Sequence, residues 1–510
     1  MDVNNKRIAK NTILLYIRTL FIMIISLYTV RLILEALGAE DYGIYNIVGG
    51  VVATIGVINA SLSGAASRFI SFAIGENNEA KLKMTYSTVK IIHWLLAAVV
   101  LVIGETIGLW FVSTQLVIPS ERMAAAIACY QISLITSIVS IISVPYNALI
   151  IGYERMDAYA YISILEAVLK LIVVFLLSIF PWDSLVVYSV LILVSQIIVR
   201  LAYNIYCYKV FGVTRSKLSF DNNIFKESLS FAGWTFTGQL AYIGYTQGLN
   251  ILLNIFFGPI VNAARAISVQ IQTAAGVLVK NFQTAVRPQI IKTWAQNDIK
   301  YMHQLVVSST KYSYYLTAIM VFPLVWFTSP ALTIWLKDVP DYTIAFVQVI
   351  LITMLVESLS HGMIVAIHAT GTIVKFQIYE SLTLLTVLPI SYIALKWFSV
   401  SPTSVFWIYL CVQIFAQFVR MWIVLPQIYL SIAQYIKNAI LPVFLPTFVL
   451  FIPCVCCKYF EGFNILQTIL ALIISVLLVM GVIFLLGLKQ AERLFIIEKI
   501  KTLVRKLYKK

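Results

Sequence analysis

Apolar stretches long enough to cross a membrane follow one another along almost the whole chain, with only short polar segments between them. A membrane-spanning α-helix needs about 20 apolar residues, so about fourteen helices with short loops use up all 510 residues. The composition agrees, because 61% of the residues are hydrophobic and 12% are charged, whereas soluble domains are about 25% charged. We therefore predict an all-α polytopic membrane protein with about fourteen transmembrane helices.

Hydropathy defines the limits of these spans. The first is predicted to be a retained span and not a signal peptide, because it is too long and no small-residue cleavage site follows it. The predicted spans, in chain order, are 13–34, 43–66, 89–113, 123–150, 159–180, 185–208, 227–257, 260–285, 306–334, 342–370, 375–396, 402–425, 438–458 and 464–488.

The basic residues are distributed unevenly between alternate loops. Cytoplasmic loops of membrane proteins carry an excess of Lys and Arg, and a cytoplasmic N-terminus would place about 26 of the 37 cations inside and about five outside. We therefore predict that both termini are cytoplasmic. The net charge of +15 then reflects topology, so no nucleic-acid partner is expected.

Residues 489–510 concentrate the positive charge further. They hold eight cations and the two acids Glu492 and Glu498, with apolar residues toward one side. This pattern predicts a basic amphipathic cytoplasmic tail that lies along the anionic membrane lipids.

Polar residues recur at an offset of about 220 residues, which indicates an internal repeat. The matching positions are Leu37-Gly38 with Phe257-Gly258, Arg68 with Arg287, Asn77-Asn78 with Asn297-Asp298, Gly152 with Gly371, Arg155 with Lys375, and Val199-Arg200 with Val419-Arg420. Both copies start from the same side of the membrane, so a parallel pseudo-twofold axis is expected.

The repeat predicts the domain organisation. Two six-helix lobes related by the pseudo-twofold axis are followed by a C-terminal helix pair, and substrate is expected between the lobes, moved by alternating access. The predicted segments are 1–208 for the N-terminal lobe, 209–226 for a cytoplasmic linker, 227–425 for the C-terminal lobe, 437–488 for helices 13 and 14, and 489–510 for the tail.

Span 8 carries a polar and basic stripe along its whole length. Stepping by three or four residues gives Asn262, Arg265, Val269, Gln272, Gly276, Lys280, Gln283 and Arg287. A charge facing lipid costs several kcal/mol, so the stripe faces either a polar seam between helices or a water-filled cavity. The cavity is favoured, because the stripe is cationic and the helix holds no acid. Arg18 of span 1 lies too deep to snorkel comfortably and is also predicted to face the lumen.

Span 7 has a second, uncharged polar face. Gln247, Asn250 and Asn254 follow one another at helical spacing, with Gln239 earlier in the span. Amide side chains in this pattern suit sugar hydroxyls or a cation.

The remaining charges within spans have either structural or coupling roles. In span 10, Glu357, His361 and His368 share one stripe, so either proton coupling or a hydrogen-bonded pair that fixes helix packing is expected. Glu105 of span 3 is a candidate for the same two roles. A self-satisfied ion pair is predicted for Glu166 and Lys170, at i and i+4. Snorkelling is favoured for Lys311, whereas Arg200 and Arg420 either snorkel or face the lumen.

No enzymatic motif, cofactor motif or metal-ligand spacing occurs in the sequence. Nucleotide-binding loops, HExxH and triad-like arrangements on a soluble scaffold are all missing, so an enzyme is not expected. A cluster of Cys454, Cys456 and Cys457 could bind a soft metal, but small apolar filler is the favoured interpretation without a nearby histidine.

Three segments carry a family resemblance, namely Leu37 to Tyr45, Ser67 to Ile70 followed by Gly75 to Asn78, and Pro145 to Ile150 followed by Gly152 to Arg155. They resemble the multidrug/oligosaccharidyl-lipid/polysaccharide (MOP) exporter superfamily, and the nearest branch is the bacterial polysaccharide (O-antigen, Wzx-like) flippases. The resemblance implies a flippase that turns an undecaprenyl-pyrophosphate-linked oligosaccharide, the repeat unit of an O-antigen, capsule or exopolysaccharide, from the cytoplasmic to the periplasmic leaflet of the bacterial inner membrane. It also implies that Arg18 and Arg265 hold the pyrophosphate, as arginines of spans 1 and 8 do in related lipid II flippases.

The chemistry of the stripe agrees with this implication, because a pyrophosphate in a low-dielectric cavity requires Arg and Lys, which Arg18, Arg265, Lys280 and Arg287 supply. A monomer is expected, driven by H+ or Na+ and working beside a polysaccharide polymerase or ligase. Alternatives are a drug/cation antiporter of the same superfamily, which should favour acidic and aromatic cavity groups, and a lipid II flippase. A membrane-embedded glycosyltransferase or polymerase would need a large extramembrane loop or paired carboxylates, and neither occurs.

Overall fold

The structure is a computed structural model that describes residues 3–55, 57–114, 116, 118–177, 179–257, 259–336, 339–453, 464–494 and 497–498. All regular secondary structure in these ranges is helical. Eight of the described helical segments are long and apolar enough to cross a membrane, or up to ten if each of two bent pairs counts as one span. The prediction of an all-α polytopic membrane protein is therefore confirmed.

The chain forms two compact units. The first contains residues 1–236 and 284–298, and the second contains residues 237–283 and 299–510. Two of the three divisions fall within helices, at 236/237 and 283/284. The units therefore differ from the two lobes defined by the sequence repeat, which remain a prediction.

The first unit begins with eight helices. They are α1 (Val3–Ile55), α2 (Val57–Gly75), α3 (Glu79–Ile103), α4 (Leu109–Thr114), α5 (Met123–Ile141), α6 (Val144–Gly152), α7 (Met156–Leu177) and α8 (Ser184–Val210). It also holds the start of α9 (Asn222–Phe257) and the end of α10 (Pro259–Ala295).

The second unit holds the rest of α9 and α10 and the helices that follow. These are α11 (Ile299–Trp326), α12 (Thr328–Leu336), α13 (Thr343–Ser358), α14 (His361–Thr370), α15 (Val374–Leu385), α16 (Val387–Phe398), α17 (Thr403–Gln427), α18 (Ile432–Tyr435), α19 (Leu441–Phe451) and α20 (Ile465–Val482).

Several predicted spans are interrupted, each for a local reason. The predicted loop between spans 1 and 2 is a kink at Gly38, whose φ of 76° is readily adopted only by glycine. Span 4 divides into α5 and α6 just before Pro145, which has no backbone N–H to continue the helical ladder. Span 10 bends by 43° between α13 and α14, where the Ser360 hydroxyl donates to the Glu357 carbonyl oxygen at 2.7 Å and competes with the helical bonds.

A charged cluster fixes the chain next to the Gly38 kink in the first unit. The Arg122 guanidinium contacts the carboxylates of Asp41 at 2.7 Å and Asp183 at 2.5 Å. Asp183 also caps α8, just outside the span. Burial opposes ionisation of Asp183, but the hydrogen bonds from Arg122 and from the first backbone N–H groups of α8 outweigh it and lower its pKa. Elsewhere in this unit, the predicted ion pair of Lys170 with Glu166 is confirmed at 2.7 Å.

The C-terminal helices of the second unit share a core with α11. Tyr315 of α11 donates a hydrogen bond to the carbonyl oxygen of Gly487 at 2.7 Å, and a Cβ on that glycine would lie 2.6 Å from the tyrosine hydroxyl. The prediction that Lys311 snorkels to the membrane surface is wrong. Its side chain is 4% exposed and forms an ion pair with Glu492 at 2.5 Å, because the start of the tail folds back onto α11. Residues 499–510 of the predicted amphipathic tail lie outside the described residues.

Candidate functional site

A cavity of about 270 Å³ lies within the second unit, among α9, α10, α13 and α17. Its wall combines aromatic, amide and charged side chains. The lining residues are Tyr242, Tyr245, Thr246, Gln247, Leu249, Asn250, Arg265, Val269, Gln272, Ile350, Glu357, Phe406 and Tyr409. Five of them, Gln247, Asn250, Arg265, Gln272 and Glu357, are residues that sequence periodicity singled out as binding or coupling candidates.

Arg265 supplies the positive charge of this wall. Arg265 is 5% exposed. Its Nη1 donates a hydrogen bond to Oδ1 of Asn250 at 2.5 Å. Nδ2 of Asn250 in turn donates to Oε1 of Gln247 at 2.9 Å. The Nε of Arg265 is buried and has no hydrogen-bond partner among the described residues. No acid in this part of the chain forms an ion pair with Arg265. A buried guanidinium with an open donor and no counter-charge is poised for an anionic ligand.

Glu357 of α13 lies on the same cavity wall but is held by other residues. Oε1 of Glu357 accepts hydrogen bonds from the Tyr409 hydroxyl at 2.6 Å and from Nε2 of Gln413 at 3.1 Å. The hydroxyls of Tyr245 and Tyr409 are 3.3 Å apart. The carboxylate is therefore fixed in place by α17, one side of it facing the cavity.

A second layer of polar residues supports Glu357 from behind. Arg420 is 4% exposed, and its guanidinium contacts the Glu380 carboxylate at 2.8 Å, the Ser360 hydroxyl at 3.1 Å and Oε1 of Gln413 at 3.4 Å. Arg420 thus neither snorkels nor lines the cavity; instead it orients the amide that holds Glu357.

Sequence reasoning missed Tyr409, Gln413 and Glu380. A signal was present, because Tyr409, Gln413 and Arg420 follow one another at i, i+4 and i+11 on one face of α17. Polar residues at helical spacing within a span predict a buried face. Their partners lie on α13, at Ser360 and on α15, which are 40 to 60 residues away in the chain. Periodicity along one helix could not predict them.

The two histidines and Glu105 do not join Glu357 at the cavity. Because the helix breaks at Leu359 and Ser360, the imidazole of His361 bonds the Ser358 carbonyl oxygen at 3.2 Å and does not line the cavity. His368 lies seven residues further along α14. Glu105 belongs to the first unit, where it accepts a hydrogen bond from Gln131 at 3.0 Å on an exposed π-helical turn.

The remaining candidates are distributed along both units. Arg18 lies in the first unit, with its guanidinium carbon 4.7 Å from the ring centre of Tyr159 and its Nε buried without a partner among the described residues. Lys280 is exposed, Gln239 is half-buried outside the cavity, and Arg287 belongs to the part of α10 in the first unit. The side chains of Asn254 and Asn262, and the cluster of Cys454, Cys456 and Cys457, lie outside the described residues.

Comparisons with known proteins identify the family. Residues 8–294 match the family model described as "Polysaccharide biosynthesis protein", which is more than half of the chain. No curated protein matches the sequence.

Solved structures share the fold. A MATE protein in the bent conformation has a TM-score of 0.72 at 14% identity, and the match covers 86% of this chain and 98% of the MATE chain. An outward-facing multidrug resistance MATE family transporter of the MOP superfamily has a TM-score of 0.71 at 14% identity, with 84% and 96% covered. A MOP superfamily transporter from Pyrococcus furiosus, described as having a binding pocket of reverse polarity, has a TM-score of 0.70 at 14% identity, with 84% and 96% covered. The solved structures show that this chain shares the fold of the MATE proteins. Because the matched family model covers more than half of the chain, the chain belongs to the family described as polysaccharide biosynthesis protein.

Proposed function

We propose that this protein is a flippase for an undecaprenyl-pyrophosphate-linked oligosaccharide, moving it between membrane leaflets by alternating access. The observation that carries the proposal is Arg265, a buried guanidinium that faces a cavity with an open donor and no acidic partner in the described chain. A pyrophosphate supplies the missing negative charge and accepts from such a guanidinium in a fork geometry. Arg18, whose Nε has no partner in the same described ranges, is proposed to contact the same group during transport.

The other cavity residues suit a sugar next to the phosphate. A volume of about 270 Å³ is small beside the pockets of about 300–1,000 Å³ that enclose drug-sized ligands, so one sugar ring or the pyrophosphate fits and a whole repeat unit does not. The amides of Gln247, Asn250 and Gln272 can exchange hydrogen bonds with hydroxyls, and the tyrosines offer flat apolar faces. The rest of the oligosaccharide would then extend beyond this cavity.

A reconstitution experiment tests the substrate class. Purified protein in liposomes should transfer a fluorescent undecaprenyl-pyrophosphate oligosaccharide to the leaflet accessible to an added glycosidase, at a rate at least about tenfold above protein-free liposomes, because a charged head group crosses lipid at great cost. The same liposomes should not accumulate ethidium. Cation accumulation without oligosaccharide transfer would contradict the flippase and favour the antiporter.

The antiporter is the second candidate, and Glu357 is the observation that favours it, since a cavity carboxylate attracts a cation. We assign Glu357 a different task, the response of the flippase to an H+ or Na+ gradient. His361, which bonds a backbone carbonyl oxygen, is not expected to share this task. The same proposal places the protein in the bacterial inner membrane, with both termini cytoplasmic and anionic lipids and polysaccharide-assembly enzymes as its neighbours.

Glu357→Gln is expected to keep oligosaccharide transfer but to reduce its acceleration by an imposed ion gradient by about tenfold, the usual size of a coupling between two sites. The rate in liposomes with and without a pH or Na+ gradient measures this effect. Tyr409→Phe should weaken the gradient response in the same direction, whereas His361→Ala should leave it unchanged. Equal gradient responses in wild type and Glu357→Gln would refute the assignment.

A further inference from the structure

An ion pair in the middle of α7 is exposed, although this helix is long and apolar enough to cross the membrane. Nζ of Lys170 contacts Oε1 of Glu166 at 2.7 Å, and the two side chains are 47% and 34% exposed. The helix begins at Met156, so the two charges lie about 15–21 Å along it at a rise of about 1.5 Å per residue. Charges at this depth face lipid chains only at a cost of several kcal/mol. This side of α7 is therefore expected to meet water or a polar ligand.

The pair belongs to a longer polar face of α7, which extends to Arg18 of α1. The residues of this α7 face, at i, i+4, i+7 and i+11, are Tyr159, Ser163, Glu166 and Lys170. They lie within about 60° of one another around the helix axis. The guanidinium carbon of Arg18 is 4.7 Å from the ring centre of Tyr159. Tyr203 of α8 is close enough to both Arg18 and Glu166 to interact electrostatically with each of them, so the two charges share one neighbourhood of the first unit.

The repeat in the sequence argues against a purely structural role for the ion pair. At the offset of 220 residues, Glu166 and Lys170 correspond to Thr386 and Ile390. These two residues lie in the segment Val374–Phe398, which is also long and apolar enough to cross the membrane. A span at the equivalent position thus forms without charges there, so helix formation does not require the pair.

The unused atoms of the pair suit the adjacent hydroxyls of a sugar. Glu166 and Lys170 have no hydrogen-bond partner other than each other in the described part of the chain, so Oε2 of Glu166 can accept and the remaining N–H groups of Lys170 can donate. Neighbouring sugar hydroxyls can donate to the carboxylate and accept from the ammonium, and hydrogen bonds to charged groups are the stronger ones. A free cation is less well suited, because Glu166 already lies beside the cations Lys170 and Arg18.

We propose that the α7 face is a sugar-binding subsite, in which Glu166 and Lys170 bind adjacent hydroxyls of the transported oligosaccharide. This inference rests on the proposed flippase function and concerns the part of the substrate that the cavity at Arg265 is too small to hold. Glu166 follows Tyr159, the residue that Arg18 contacts, by about 10 Å along the helix. With the pyrophosphate at Arg18, the subsite is within reach of the sugars next to it.

Two fluorescent lipids separate sugar binding from pyrophosphate binding. The sugar lipid is an undecaprenyl-pyrophosphate oligosaccharide, and the other is undecaprenyl pyrophosphate without sugar, each with the same fluorophore on the isoprenoid chain. Fluorescence anisotropy with protein in detergent micelles gives both affinities. Wild type is expected to bind the sugar lipid at least about tenfold more tightly, the effect of one hydrogen bond to a charged group. Glu166→Gln should remove most of this preference, whereas Arg265→Gln should weaken the binding of both lipids.

The second copy of the repeat supplies a matched double variant. Glu166→Thr combined with Lys170→Ile introduces the residue types of the equivalent span, and this variant should fold like wild type but lose the preference for the sugar lipid. A purely structural pair would give the opposite result, a lower free energy of unfolding and an unchanged preference. Glu79→Gln removes an exposed ion pair with Lys83 and is the control, expected to bind both lipids like wild type.

The proposal is overturned if wild type binds both lipids equally, or if Glu166→Gln keeps the full preference for the sugar lipid. Glu166→Gln carries the test if the double variant fails to fold. Oligosaccharide transfer in liposomes separates the two proposals. Transfer by a wild type that binds both lipids equally refutes only the sugar-binding subsite, whereas a preference for the sugar lipid without transfer refutes only the flippase.

Discussion

Arg265→Gln is expected to reduce oligosaccharide transfer by about 100-fold, because removing one partner of a buried charged contact costs about 2–5 kcal/mol. The side chain offers a buried Nε without a partner in the described chain and an Nη1 on Asn250, so a bound phosphate would gain its main counter-charge from this residue. Arg265→Lys should retain part of the activity, since lysine keeps the charge but not the planar fork. Transfer in liposomes at equal protein amounts measures both variants.

A matched control removes a different arginine. Arg215→Gln changes an exposed guanidinium that donates to the backbone carbonyl oxygen of Tyr208 at 2.9 Å, and transfer should stay at the wild-type rate. Complementation of a flippase-deficient strain should follow the same order. Wild-type transfer by Arg265→Gln would exclude this guanidinium as the phosphate ligand and leave Arg18 as the next deep cation to test.

Glu380→Gln is expected to lower the free energy of unfolding by about 3–5 kcal/mol, because it removes the carboxylate that the buried Arg420 guanidinium contacts directly. The Arg420 and Glu380 side chains are 5% and 15% exposed and are 2.8 Å apart, so water screens the pair little. Denaturant unfolding in detergent micelles, followed by tryptophan fluorescence, measures the change. Glu380→Gln combined with Arg420→Met should recover most of the loss, since the double variant leaves neither charge of this pair buried.

Glu166→Gln is the control for this second prediction. Glu166 pairs with Lys170 at 2.7 Å, but the side chains are 34% and 47% exposed, and a pair of this kind contributes about 0–1 kcal/mol. A loss in Glu380→Gln no larger than in Glu166→Gln would show that Arg420 finds another counter-charge or water, contrary to the arrangement described here.

Helical periodicity singled out several residues that line the cavity, because those residues lie on single helices. Arg265 and Gln272 follow one face of α10, Gln247 and Asn250 follow one face of α9, and the cost of burying charge indicated that these faces meet protein or water. The same reasoning did not hold for the pairing of Glu357 with His361, which bonds a backbone carbonyl oxygen instead. Their i, i+4 spacing implies neighbouring side chains only in an unbroken helix, and the chain bends between α13 and α14.

Ion-pair partners that are distant in the chain could not be predicted at all. Lys311 is paired with Glu492, 181 residues later, and Glu154 with Lys292, 138 residues later. Hydropathy treats each charge separately, so it assigned Lys311 to the membrane surface. Only the packing of the tail onto α11 brings a carboxylate close enough to make burial of that lysine favourable.

The sequence by itself determined that this is a helical membrane protein, because no other structure satisfies the backbone of so many consecutive apolar segments in lipid. It also determined which helix faces carry polar groups, since that follows from spacing along one helix. The tertiary structure decided which polar groups meet. Arg265 was left with an open donor at a cavity, while Arg420 and Lys311 each received an acid, because the packing of helices distant in the chain sets every such distance.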